Sequence, residues 1–160
     1  MITQDGKAVL ILGLGNRLLC DDGVGPLVVG LLAAATSVDE AVEFRDGGTV
    51  GLSLLPGIED AAAFIAVDAA KFGAVPGTVR VFEGRAMDEQ LGGRKRSAHE
   101  VALADLMAAA ALSNRLPVRR ALVAVEPAST ALGLEPTAAV AAAIPRMCTA
   151  VNELLAQWKT

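Results

Sequence analysis

The stretch AVLILGLGNRLLCDDGVGPLVVGLLAAA, residues 8–35, decides the fold. Residues 8–13 are continuously apolar and rich in branched side chains, which suits a strand buried on both faces of a parallel sheet. Residues 26–35 read as a helix, with Pro26 tolerated in its first turn. Between them lie a Gly-x-Gly turn and two adjacent aspartates. A dinucleotide fingerprint needs a third glycine where this chain carries Leu18. No Gly-Lys-Ser/Thr follows, so a P-loop is excluded. Gly13 and Gly15 therefore read as a tight turn after a strand. Asn16 can hold a left-handed turn or present its amide. Asp21 and Asp22 sit where a pyrophosphate would be repelled.

The rest of the chain repeats the alternation. Strands are expected over 41–46, 62–70 (ending at Asp68), 77–84 (a candidate edge strand) and 119–127. Helices are expected over 50–60 (broken near Pro56), 97–112 and 135–158, the last kinked or interrupted at Pro145 unless its neighbours compensate. Ser97 and Glu100 form the S-x-x-E capping-box pattern. Strands alternating with helices predict one α/β domain over 1–160, a three-layer unit with a twisted, mostly parallel five-stranded sheet and helices on both faces.

Composition narrows the function. The chain has 160 residues, 53% of them apolar and much of that alanine, enough for a sizeable core. The net charge of −4 and pI near 5.0 give no support for nucleic-acid binding or an anionic membrane surface. Arg94-Lys95-Arg96 reads as a solvated loop. Charges and glycines interrupt each apolar stretch, so no membrane span is expected, and the N-terminus does not read as a signal peptide. Two cysteines without C-x-x-C spacing fit a reduced, cytoplasmic protein. Cys20 is a poor nucleophile because its acidic flanks disfavour a thiolate. Cys148 reads as core.

In open α/β sheets, ligands bind beyond the carboxyl ends of the strands. That rule gathers Asp21 and Asp22 after the first strand, Asp46 with Gly47 and Gly48 after the second, Asp68 at the end of the third and Glu126 at the end of the fifth. Asp21 and Asp22 have a plainer alternative, as caps of the next helix. Asp68 follows a buried run, FIAV, and a carboxylate there needs a partner. His99, the one histidine, opens a helix, and the helix dipole is expected to keep its imidazole neutral. A neutral imidazole with two carboxylates suits a transition metal.

Six segments, GLGNRLLCDDGVG (13–25), DGGTVGLSLL (46–55), IAVDAA (65–70), PGTVRVF (76–82), SAHEVALADLM (97–107) and VEPASTALGLEP (125–136), together resemble the nickel–iron hydrogenase maturation endopeptidases. The resemblance implies an enzyme that removes a C-terminal extension from a hydrogenase large-subunit precursor once nickel is inserted. It implies metal recognition, and catalysis, at Asp22, Asp68 and His99. Asn16, Asp21, Asp46, Gly47, Gly48 and Glu126 are then candidates for the substrate cleft. The nickel comes with the precursor, and no tightly bound cofactor of the chain's own is expected. The precursor is the expected partner, with neither nucleic acid nor membrane, and the chain itself is expected to be a monomer. Two departures stand out: Asp22 occupies a position that is glutamate in many members, and Glu126 one that is often uncharged. On this reading the loop at 13–25 serves a cation. The competing reading is a non-catalytic α/β accessory module that binds a metal or small anion.

Overall fold

A computed structural model describes residues 8–36, 41–48, 51–93 and 98–159. The elements run β1 (Val9–Leu14), α1 (Val24–Ala35), β2 (Val42–Gly48), α2 (Leu55–Asp60), β3 (Ala63–Ala69), β4 (Val79–Glu83), α3 (Arg85–Leu91), α4 (Ala98–Leu112), β5 (Arg120–Val125) and α5 (Ala138–Trp158). The strands form one sheet in the order β2-β1-β3-β5-β4. All neighbours are parallel except β4, an edge strand antiparallel to β5. The expected architecture is therefore the one observed.

Strand alternation separates two cores. Val9 and Ile11 of β1, with Ile65 and Val67 of β3, face α1 and α5. Leu10, Leu12 and Leu14, with Phe64 and Ala66, face the layer of α2, α3 and α4. Asp68 continues the Phe64–Ala66 row by the same period of two. It therefore points into the second layer, at the end of an otherwise apolar row. Chain order reverses between β1 and β3, so the crevice beyond their carboxyl ends is the topological switch point of the sheet.

Close packing at that crevice depends on Gly25 rather than on the missing glycine at position 18. A Cβ on Gly25 would collide with the carbonyl oxygens of Leu14 and Val67. Gly13 faces it, and a Cβ there would stand 2.7 Å from the Gly25 oxygen. The helix–strand contact of a dinucleotide fold is thus kept, with an acidic turn inserted ahead of it. Gly25→Ala should overpack this contact and destabilise the fold by on the order of 3 kcal/mol, read from urea unfolding.

Several boundaries differ from the sequence reading. Pro56 does not break a helix: a 3-10 turn at Leu52–Leu54 leads into α2, and Pro56 lies in the first turn of that helix, where no donor is lost. α3 was not expected. Only Met87 and Leu91, one helical turn apart, are buried in it, too short a pattern to register. α5 runs through Pro145 without a break. Pro145 lies on the exposed face, where water can satisfy the carbonyl it frees. By length and mean hydropathy α5 could cross a membrane, contrary to the sequence reading. Its apolar stripe, from Val140 through Met147 and Val151 to Leu154, instead lies on the sheet. Ser97, with its side of the capping box, and the Arg94–Arg96 cluster fall outside the described residues.

Candidate active site

The loop after β1 is built around a sharp turn. Gly15 has φ +132°, and a Cβ there would collide with the Asp22 carbonyl oxygen. The chain then enters a 3-10 turn, Cys20–Gly23, that carries both aspartates. Neither caps α1: the N-cap is Gly23, and no side-chain capping bond is present.

The two aspartates point to different tasks. Asp21 is fully buried. Its carboxylate accepts from the backbone N–H groups of Ala128 (2.8 Å), Ser129 (3.0 Å) and Thr137 (2.7 Å). The Thr137 hydroxyl adds a fourth donor, 2.9 Å from Oδ2. Burial would raise its pKa, but the three amides and the hydroxyl outweigh burial and hold it below the ordinary value. Asp21 therefore clamps the 126–137 segment to the first loop, a structural role that replaces its expected place in the cleft.

Asp22 faces the crevice. Its Oδ2 accepts from the Asn16 backbone N–H at 2.9 Å and lies 3.2 Å from His99 Nε2. Asn16 thus acts through its main chain, while its side-chain oxygen accepts from the Leu18 amide at 2.9 Å. Burial pushes Asp22 upward, but the His99 hydrogen bond, the Asn16 amide and the His99 charge bring it below the ordinary value. His99 is raised, first by its hydrogen bond to Asp22 and further by the charges of Asp22 and Glu100, against burial. The shift runs opposite to the one expected from the helix dipole. A carboxylate in hydrogen-bond contact acts more strongly on the ring than a helix terminus does.

Asp68 is fully buried, and neither carboxylate oxygen has a hydrogen-bond partner of ordinary geometry. Burial, then the negative charges of Glu100 and Asp22, push its pKa well above the carboxylate range. Glu100, 2% exposed, was absent from the candidates because the capping-box pattern already accounted for it. The signal that could have found it was its place on the α4 face that also buries Leu103 and Met107.

The other candidates sit apart. Asp46 lies within β2, opposite Gly13, and its Oδ1 accepts from the Gly48 amide at 2.8 Å. Arg17 pairs with it at 3.5 Å, with both side chains more than half exposed, a rim contact of little energetic weight. Gly47 rests on the tips of Leu12 and Leu14. Glu126 is buried, and its Oε2 accepts from the Phe72 N–H at 2.7 Å, which organises the loop after β3. Cys20 and Cys148 are half-buried free thiols. Among the described residues, no three histidine, cysteine, aspartate or glutamate side chains converge tightly enough to make a complete metal site.

A family model described as hydrogenase maturation protease matches residues 26–154. The chain belongs to the hydrogenase maturation protease family. It is 33% identical over 154 residues to the hydrogenase 2 maturation protease of Escherichia coli K12, spanning 91% of each chain. It is 37% identical over 121 residues to the hydrogenase expression/formation protein HupD of Rhodobacter capsulatus, which is 76% of this chain and 58% of that protein. Beside HupD and similar curated relatives, the chain spans about three fifths of their length. The solved structure of the hydrogenase maturating endopeptidase HybD from E. coli superposes with a TM-score of 0.89 at 29% identity, covering 94% of this chain and 93% of that one. The family fold and the sheet derived above are therefore the same.

Proposed function

We propose that this hydrogenase maturation protease family member is an endopeptidase acting in the cytoplasm. Its substrate is a nickel–iron hydrogenase large-subunit precursor, from which it removes the C-terminal extension after nickel insertion. The observation that carries this reading is Asp68: a buried carboxylate with two unpartnered oxygens, at the switch point, beside the Asp22–His99 pair. A buried unpaired carboxylate is costly, and a cation is the partner that relieves it. Two carboxylates and an imidazole suit nickel. The incompleteness of the set fits a metal that arrives already held by the precursor's own ligands. Recognition then depends on nickel, because without it Asp22 and His99 satisfy each other and the crevice offers the tail no anchor. Nickel shared between the two proteins can polarise the scissile carbonyl, while a site carboxylate accepts the proton of the attacking water. The chain works as a monomer on this reading, since a folded protein must reach the edge of its sheet.

The test is the intact mass of the cognate large subunit from cells with this gene, without it, and with His99→Ala. The subunit should retain its C-terminal peptide in the latter two. A tail missing from all three, or His99→Ala processing at the normal rate, overturns the reading. A folded chain that binds nickel yet cleaves no precursor would instead identify an accessory module.

A further inference from the structure

We infer that the small pocket between the Cys20–Gly23 turn and residues 134–136 is a substrate subsite, which takes one uncharged apolar side chain of the precursor's C-terminal extension. The inference rests on the function proposed above and adds a determinant of which tail is accepted.

The pocket follows from the way two segments are tied together. The Cys20 N–H donates to the Gly133 carbonyl at 2.9 Å, and the Gly133 N–H donates to the Leu18 carbonyl at 2.9 Å. Glycine is required at 133, because a Cβ there would stand 2.5 Å from the Cys20 sulfur. Farther along, the Asp21 carboxylate accepts from the Thr137 N–H at 2.7 Å. Between these two anchors lies a cavity of about 130 Å³, lined by Arg17, Cys20, Gly23, Leu27, Leu134 and Pro136. A cavity of that order holds one small apolar group. Among the described residues that line it, Arg17 alone is charged, so the pocket turns away a cationic side chain.

Position, exposure and rigidity name the occupant. Cys20 and Gly23 flank the two aspartates, so the pocket is built on the same turn whose Asp22 faces the crevice. Two residues of extended peptide span about 7 Å. A tail whose scissile bond lies against Asp22 therefore carries a side chain within reach of the pocket. Leu134 is 79% exposed on the pocket wall, and Leu132 and Leu18, in the two segments tied through Gly133, are exposed as well. Large apolar side chains gathered at the rim of a site mark a binding surface. The two anchors hold this wall in place before any ligand arrives, which lowers the ordering cost of binding. A bare metal ion gains nothing from leucine and proline, and a flat protein face does not enter an opening of this size. A flexible tail does.

The experiment follows cleavage of nickel-loaded precursor by wild type, Leu134→Ala and Leu134→Met, together with labelling of Cys20 by iodoacetamide. Leu134 is exposed, so neither substitution endangers the fold. Leu134→Ala should raise KM by about tenfold and leave kcat within about twofold, and Leu134→Met, close in volume, should restore KM. Precursor at several times KM should slow labelling of Cys20 on the pocket wall and leave Cys148, in α5, unaffected, both read by peptide mass. An unchanged KM in Leu134→Ala, or a loss confined to kcat, overturns the inference, the latter because it would mean that Leu134 only supports the turn. Cleavage without protection of Cys20 also overturns it and leaves the proposed function standing. Protection of Cys20 without cleavage does the reverse.

Discussion

Asp68→Asn should melt later than the wild-type chain and process no precursor. Asp68 is fully buried with no hydrogen-bond partner of ordinary geometry, and burial, then the charges of Glu100 and Asp22, push its pKa well above the ordinary range. The linkage sign follows from that direction. Between the unfolded and folded pKa values, the native state holds a proton that the unfolded state has released. Stability from this group is therefore greatest below the unfolded value of about 4 and declines as pH rises toward the folded one. Asparagine has the same shape and no charge to desolvate. It should raise stability by on the order of 1 kcal/mol at neutral pH, which is a few degrees in Tm. The gap between variant and wild type should widen from pH 5 to pH 8. Processing should fall by at least about a hundredfold, since the group facing the cation is gone. Thermal melts across that pH range and the mass of the large subunit check both halves. A variant that melts earlier at pH 8 would mean that Asp68 holds a structural partner and that the site is wrongly assigned.

That a residue can be costly to the fold and needed for function explains which parts of this molecule were legible in its sequence. The sheet was legible because its signals are local and redundant. Apolar runs such as AVLILG and RALVAV leave few alternatives to buried strands, and turns separate them from helical patterns. Asp68 was legible for the opposite reason: a carboxylate closing the run FIAV contradicts its surroundings, and contradictions of that kind mark sites. Glu100 escaped because it satisfied a local rule, and nothing in S-A-H-E says that its helix face turns toward Asp68. The upward shift of the His99 pKa escaped because its controlling neighbour, Asp22, is 77 residues away along the chain. Gly25 escaped because its task, close contact of helix and strand, is ordinarily performed at position 18 in this kind of turn. In each case the missing information was a contact between segments, which local periodicity does not carry.

The sharpest such case is the Asp21-Asp22 pair, two identical side chains whose substitutions should have opposite consequences. Asp21→Ala removes the acceptor of three backbone N–H groups and a hydroxyl, all in part-buried bonds. Each donor left without a partner costs about 1–3 kcal/mol before relaxation, so a loss on the order of 3 kcal/mol or more is expected. The effect should depend on pH with the sign of a depressed carboxylate. Its stabilisation is present above the unfolded pKa of about 4 and is lost as pH falls through the lower folded value. The stability of Asp21→Asn should therefore respond less to pH in that range than that of wild type does. Asp22→Asn keeps an oxygen for the Asn16 amide and disturbs only the contact with His99. It should change stability by less than about 1 kcal/mol and abolish processing. Urea unfolding at pH 7 with the large-subunit mass assay places each variant on both axes. If Asp21→Ala proves as stable as wild type, the 126–137 segment is held by something other than this carboxylate. If Asp22→Asn processes normally, the crevice between β1 and β3 is not where the precursor is read.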